Sequence, residues 1–140
     1  MLLISDNLLL EVVEHARDEH PIEACGVIVG KNGVPTRVIE MSNGDESTVS
    51  FTFEAREQIH VWREMEERGE ELLVVYHSHT ASHPVPSTKD TRNARSAGEG
   101  VLHLIVSTSS PDTTEMRCYR VLEDESYEEV EIVAQQVEPV

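Results

Sequence analysis

Lysine is almost missing from this chain. Of eleven basic residues only Lys31 and Lys89 are lysines, set against 27 acidic residues and a formal charge of -16. A chain so acidic, with no basic patch, repels phosphate backbones, which argues against a nucleic-acid partner. Abundant carboxylates with scarce lysine suit a salt-rich cytoplasm, where ions screen the self-repulsion. No apolar run approaches the ~20 residues of a membrane span. The apolar start Met1-Leu2-Leu3-Ile4 reaches a charge at Asp6 and does not read as a signal peptide. A cytoplasmic location and no membrane partner are therefore expected.

Cysteine is equally scarce. Cys25 and Cys118 lie far apart and form no CxxC pair, so they belong to no zinc knuckle and read as buried small hydrophobes. Internal repeats, low-complexity tracts and linkers are lacking too. The 140 residues, 39% of them hydrophobic, therefore suit one α/β domain over 1–140 with a mixed sheet flanked by helices. Several histidine motifs are also missing. There is no HExxH and no His-x-Glu with a later Cys-x-x-Cys. A dinuclear HxHxDH site would need an aspartate and a histidine where Ala81 and Ser82 stand.

What is present divides cleanly into elements. Ser5 or Asp6 caps a first helix, in which Leu9, Val12, Val13 and Ala16 recur at helical spacing until Pro21. Val27–Gly30 reads as a strand, Asn32-Gly33 as the turn of a hairpin, and Val34–Met41 as its partner. Ser42–Asp45 is a loop and Val49–Phe53 a short strand. Glu54–Arg68 is a helix with Ala55, Ile59 and Trp62 on one face, an i,i+4 pair between Glu64 and Arg68, and Gly69 as its stop. Leu72–Tyr76 is apolar on both faces, as in a central strand. A short helix over Ser87–Ala97 and strands at Val101–Ser107, Thr114–Val121 and Ser126–Val133 follow, the last one acidic and at an edge.

The chemistry concentrates in Tyr76-His77-Ser78-His79 and Ser87-Thr88-Lys89-Asp90. On a strand, residues i and i+2 point the same way, so His77 and His79 aim two imidazoles at one point while Ser78 points away. Asp90, one turn into the next helix, brings a carboxylate there. Two histidines and one aspartate leave a coordination position free, the arrangement of a catalytic rather than a structural zinc. A 2-His-1-carboxylate iron oxygenase shares these ligand types. Ser87-x-x-Asp90 is also an ordinary capping box, and Ser87 can cap the helix while facing the centre. His83, beside Pro84, faces solvent on this reading and His103 sits in the core; His15, His20 and His60 carry no signal. Metal-activated water still needs a base, and spacing alone does not choose one among 27 acidic residues.

Glu23, then His77-x-His79, seven residues and Ser87-x-x-Asp90 together resemble the complete JAMM motif of MPN-domain (JAB1/MPN, cytidine-deaminase-like) metalloproteases. The contexts Glu23-Ala24-Cys25-Gly26-Val27 and Val74–Thr80 look most like the small bacterial, Mec-type branch, which processes ubiquitin-like sulfur carriers. The resemblance implies one zinc ion held by His77, His79 and Asp90. It implies Glu23 as the base that takes the water's proton and returns it to the leaving amine, and Ser87 as a hydrogen-bond partner of the oxyanion or the water. It also implies a substrate: a carrier's C-terminal Gly-Gly tail, cut to release cysteine or a short extension. Such a tail is thin and extended and can thread a groove beside the sheet, with Thr80–Pro86 and Ser42–Val49 as walls. The motif carries no long insertions like those of linkage-selective deubiquitinases. A noncatalytic MPN scaffold, a DNA-repair-associated branch and removal of a protein conjugate are the competing functions. A homodimer through an edge strand is compatible with the sequence and leaves no mark on it.

Overall fold

A computed structural model describes residues 1–136, apart from the side chain of Arg95. The chain opens with a strand that periodicity did not reveal, β1 (Leu2–Ser5). Helix α1 (Asp6–Glu19) follows, capped by Ser5, whose hydroxyl accepts from the Leu8 N–H. Strands β2 (Cys25–Lys31) and β3 (Val34–Met41) form the expected hairpin, with Asn32 and Gly33 both at positive φ. Helix α2 (Ala55–Arg68) ends at Gly69, which takes the left-handed conformation required there. Then come β4 (Glu71–His79), α3 (Thr88–Ala94) with a closing 3-10 turn at Arg95–Ala97, β5 (Leu102–Ser107) and β6 (Glu115–Val121).

The expected final strand is two elements, β7 (Tyr127–Val130) and β8 (Ile132–Gln135). The six-stranded sheet runs β3-β2-β4-β5-β6-β7, so β7 is indeed an edge, while β8 leaves it to pair in parallel with β1. All pairs in the large sheet are antiparallel except β4–β5. That parallel pair lies at the centre, where the connection over α3 carries the chain from one strand to the next. Ligand sites gather where such strands end.

Two apolar layers sandwich the sheet. On one side Val74 and Tyr76 of β4, Ile28 of β2 and Leu104 and Val106 of β5 pack under α1 with Leu8, Leu9, Val12 and Ala16. On the other, Cys25, Val27, Val29 and Val75 meet Val61 and Met65 of α2. The α2 face expected from sequence is thus turned: Ile59 is 55% exposed and Ala55 is exposed, while Val61 and Met65 are buried. Glu64 also departs from its expected partner. It joins Arg37 at 2.7 Å, and Arg37 in turn grips Glu70, which also meets Arg68. Both cysteines are free and buried, as expected. Among the described residues no helix is long and apolar enough to cross a membrane.

Candidate metal centre

The last three residues of β4 are His77, Ser78 and His79, and alternation sends the two imidazoles to the α2 side. Asp90 reaches them from the first turn of α3. His77 Nε2 lies 3.1 Å from His79 Nε2, and Asp90 Oδ2 lies 3.1 Å from His79 Nε2 and 3.3 Å from His77 Nε2. Donors bound tetrahedrally at zinc distances stand about 3.3 Å apart, which matches this triangle.

The donor chemistry fits a cation as well as the spacing does. His79 Nδ1 lies 3.0 Å from the His83 carbonyl, which can only accept, so Nδ1 is a donor and Nε2 faces inward, where it hydrogen-bonds Asp90 or, once deprotonated, offers a lone pair to a cation. Two imidazole nitrogens and a carboxylate oxygen then converge on one point, with His77 4% and His79 7% exposed. A shared cation satisfies all three. Burial lowers the His77 pKa. Burial by itself raises the Asp90 carboxyl, but hydrogen bonds from His77 and His79 outweigh it and hold the acid far below its usual range.

The loop after β4 is held through its carbonyls. Ser82 accepts from the Ser107 hydroxyl at 2.7 Å, Pro84 from the Tyr119 hydroxyl at 2.7 Å, and His83 from the His79 ring. The His83 side chain itself is 89% exposed, as expected. Ser87 and Asp90 form the reciprocal capping box: the Asp90 N–H donates to Ser87 Oγ at 3.1 Å and the Ser87 N–H to Asp90 Oδ2 at 2.9 Å. A hydroxyl accepts and donates at once, so the cap leaves the Ser87 proton for another acceptor.

Glu23 stands two residues before β2 and is 4% exposed. Burial pushes its carboxyl up to about 7, against the opposing pull of His79; Asp90 raises it and Lys89 lowers it. A carboxyl with that value can both hold and release a proton near neutral pH. Ser78, between the two histidines, points to the opposite side as expected. Its hydroxyl accepts from the Ala24 N–H at 2.8 Å, and its own N–H donates to the Ala24 carbonyl at 2.9 Å. That pair of hydrogen bonds ties Ala24, the neighbour of Glu23, to the strand carrying the two histidines.

A cavity of about 320 Å³ opens beside the centre, lined by His77 and Asp90 and running to Phe51, Phe53, Trp62 and His103. Aromatic rings step along it: Phe51 stacks on His77 at 4.6 Å, Phe53 lies 5.8 Å from Phe51, and Trp62 6.3 Å from Phe53. Two expectations change here. Val49–Phe53 is no strand; Phe53 makes one isolated bridge to Asn43, and the phenylalanines turn into the cleft. Of the expected walls only Pro86 lines this cavity; Phe51–Phe53, α2, α3 with its 3-10 turn, and residues of β4, β5 and β6 supply the rest. His103 is half-buried on its wall rather than sealed in the core, and burial draws its pKa down to about 4. Periodicity could not find this wall, because nothing local distinguishes a cleft residue from a core one.

Two imidazoles and a carboxylate close enough to share a cation, with a buried carboxyl of raised pKa beside them, fit the class of metal-dependent hydrolases. Comparison with known proteins narrows it. Residues 5–122 match the family described as prokaryotic homologs of the JAB domain, and the chain belongs to that family. It is 38% identical over 138 residues to the CysO-cysteine peptidase of Mycobacterium tuberculosis, covering 97% of this chain and 93% of that one. It is 31% identical over 105 residues to the desampylase of Haloferax volcanii, covering 73% and 74%. Its fold is similar to the solution structure of a protein from Desulfitobacterium hafniense, with TM-score 0.85, 29% identity and coverage of 98% and 94%. A JAB1/MPN domain protein from Archaeoglobus fulgidus shares the fold at TM-score 0.63 and 22% identity, with coverage of 96% and 98%.

Proposed function

We propose that this chain is a zinc peptidase that hydrolyses the bond after the C-terminal Gly-Gly of a ubiquitin-like sulfur-carrier protein, releasing cysteine or a short extension. The observation that carries the reading is the likeness to CysO-cysteine peptidase across 97% of the chain. His77, His79 and Asp90 hold one zinc ion, whose Lewis acidity polarises the scissile carbonyl and makes water a nucleophile at neutral pH. Glu23 takes the proton of the attacking water and returns it to the departing amine; its burial and raised pKa support the role. Ser87 donates a hydrogen bond from its hydroxyl to the developing oxyanion or to the water. The whole chain, 1–140, acts as one catalytic domain in the cytoplasm.

The cleft supports the substrate. A glycine pair is narrow enough to lie across the centre without a side chain to seat, and the apolar cavity beyond offers surface to the rest of the tail. Two further relatives widen the leaving group: the desampylase of Haloferax volcanii and, at 30% identity over 96 residues, the probable TtuB-protein conjugate cleaving protease of Thermus thermophilus. Removal of a conjugated protein is therefore the second reading.

Mass spectrometry decides. A Gly-Gly-tailed carrier extended by cysteine, by two residues or by a conjugated protein is weighed before and after incubation with the zinc-loaded enzyme. The reading expects the extended forms to collapse to the Gly-Gly mass. No mass change on any of them would overturn it. A noncatalytic scaffold is then the reading that remains, and a preparation that takes up no metal would favour it as well.

A further inference from the structure

Glu23 lies outside the sheet, so something other than the β ladder must hold it. Its backbone N–H donates to the Ser47 carbonyl at 2.9 Å, and its carbonyl accepts from Asn43 Nδ2 at 3.0 Å. Both partners belong to the stretch between β3 and α2. Asn43 is the hub of that stretch. Its Nδ2 also donates to the Ser50 carbonyl at 2.9 Å, while its Oδ1 accepts from the Asp45 N–H at 2.9 Å and the Thr52 N–H at 3.3 Å. Two donations and two acceptances use the full hydrogen-bonding capacity of a carboxamide.

The hub therefore does two things with one side chain. Its oxygen, with the Asn43–Phe53 bridge, closes residues 43–53 into a loop that presents Phe51 to His77. Its nitrogen adds one closing bond, to Ser50, and straps the loop to the backbone of Glu23. No other asparagine contact among the described residues spans the loop and Glu23 in this way. Aspartate at this position keeps the accepting oxygen and its two loop bonds but loses both donations, the strap to Glu23 and the one loop bond to Ser50.

We infer that Asn43 is a positioning residue that acts through Glu23, holding the base's backbone so that its carboxyl stays buried toward the metal centre. The inference rests on the peptidase reading, in which Glu23 moves the proton. The test compares parent, Asn43→Asp, Glu23→Gln and the double variant, all zinc-loaded, on the cysteine-extended carrier. Asn43→Asp is expected to lower kcat at least tenfold with KM changed less than twofold and zinc content unchanged. In the Glu23→Gln background, assayed in single turnover with excess enzyme, the same change is expected to cost less than twofold, because residues acting as one unit do not add. An undiminished kcat, or an equal further loss in the double variant, overturns the inference.

Amide hydrogen exchange on the metal-free proteins supplies a readout that needs no turnover. The Glu23 amide is expected to exchange at least tenfold faster in Asn43→Asp, with the β4 amides unchanged; equal protection at Glu23 overturns the inference whatever the activity shows. Should Asn43→Asp fail to fold, Asn43→Ser serves both arms. A parent enzyme that cleaves nothing would defeat the peptidase reading alone, since the exchange arm still reports whether Asn43 holds Glu23.

Discussion

The two faces of strand β4 are made by alternate residues of one nine-residue segment, yet they do opposite work. Toward α1, Val74, Tyr76 and Ser78 are fully buried, and the Tyr76 hydroxyl meets His15 Nδ1 at 2.6 Å inside the layer. Toward α2, Val75 is followed by His77 and His79, and the covering layer opens into the aromatic cleft. The first face closes because α1 and the β1–β8 pair both cap it. The second stays open because α2 buries only Val61 and Met65, leaving Phe51, Phe53 and Trp62 half-covered. A period of two thus sorts one strand into a stabilising side and a reacting side. Stability and chemistry are separable here by residue parity.

Substitutions on opposite faces test that separation. His77→Ala is expected to lose activity to background, and to lose more metal affinity than the ~10–100-fold typical of an outer-shell change. Metal analysis after dialysis checks it, and a variant retaining stoichiometric zinc would break the division. Leu104→Ala, on the α1 side, is expected to cost about 2–5 kcal/mol in urea unfolding while binding metal like the parent.

Glu23→Gln should leave zinc bound and remove at least ~10²-fold of turnover. It also carries a stability effect whose sign follows from the raised pKa. The folded Glu23 holds its proton up to about 7, the unfolded one only to its ordinary value of 4.5. Between those values the native state binds more protons, so stability falls as pH rises through the window. Glutamine cannot ionise. The metal-free variant should exceed the parent by roughly 1–3 kcal/mol at pH 8, the gain fading as pH falls from about 7 to 4.5 and gone below that. Equal urea midpoints at pH 8 would mean that ionised Glu23 is well solvated. Ile59→Ala, on the exposed flank of α2, should change stability by less than about 0.5 kcal/mol and leave turnover alone.

How far the sequence reached follows the range of the forces involved. The α1 cap, the Asn32-Gly33 hairpin, the Gly69 stop and the convergence of His77, His79 and Asp90 depend on residues close in the chain, and all could be read. The β1–β8 pair joins Leu2 to Ile132, and four-residue strands carry too little alternation to announce a partner so distant. The buried face of helix α2 is hard to read from sequence because its apolar residues are few. Ile59 fits the stripe by spacing, and only the position of the cleft decides that Val61 and Met65 go inward instead. Val49–Phe53 has strand propensity, but the Asn43 carboxamide takes the Ser50 and Thr52 backbone groups that a ladder would need. Glu23 had no local mark beyond the family resemblance, since what distinguishes it is burial.

Trp62 is the sole tryptophan of the chain and it stands on the wall of the cleft. Its indole emission therefore comes from one place, beside the surface a tail must cover. Any ligand that displaces water from that wall shifts the spectrum of the untreated protein, whether or not a bond is cut. Association can then be followed optically, without a label, in variants such as Glu23→Gln that are expected to bind with little turnover.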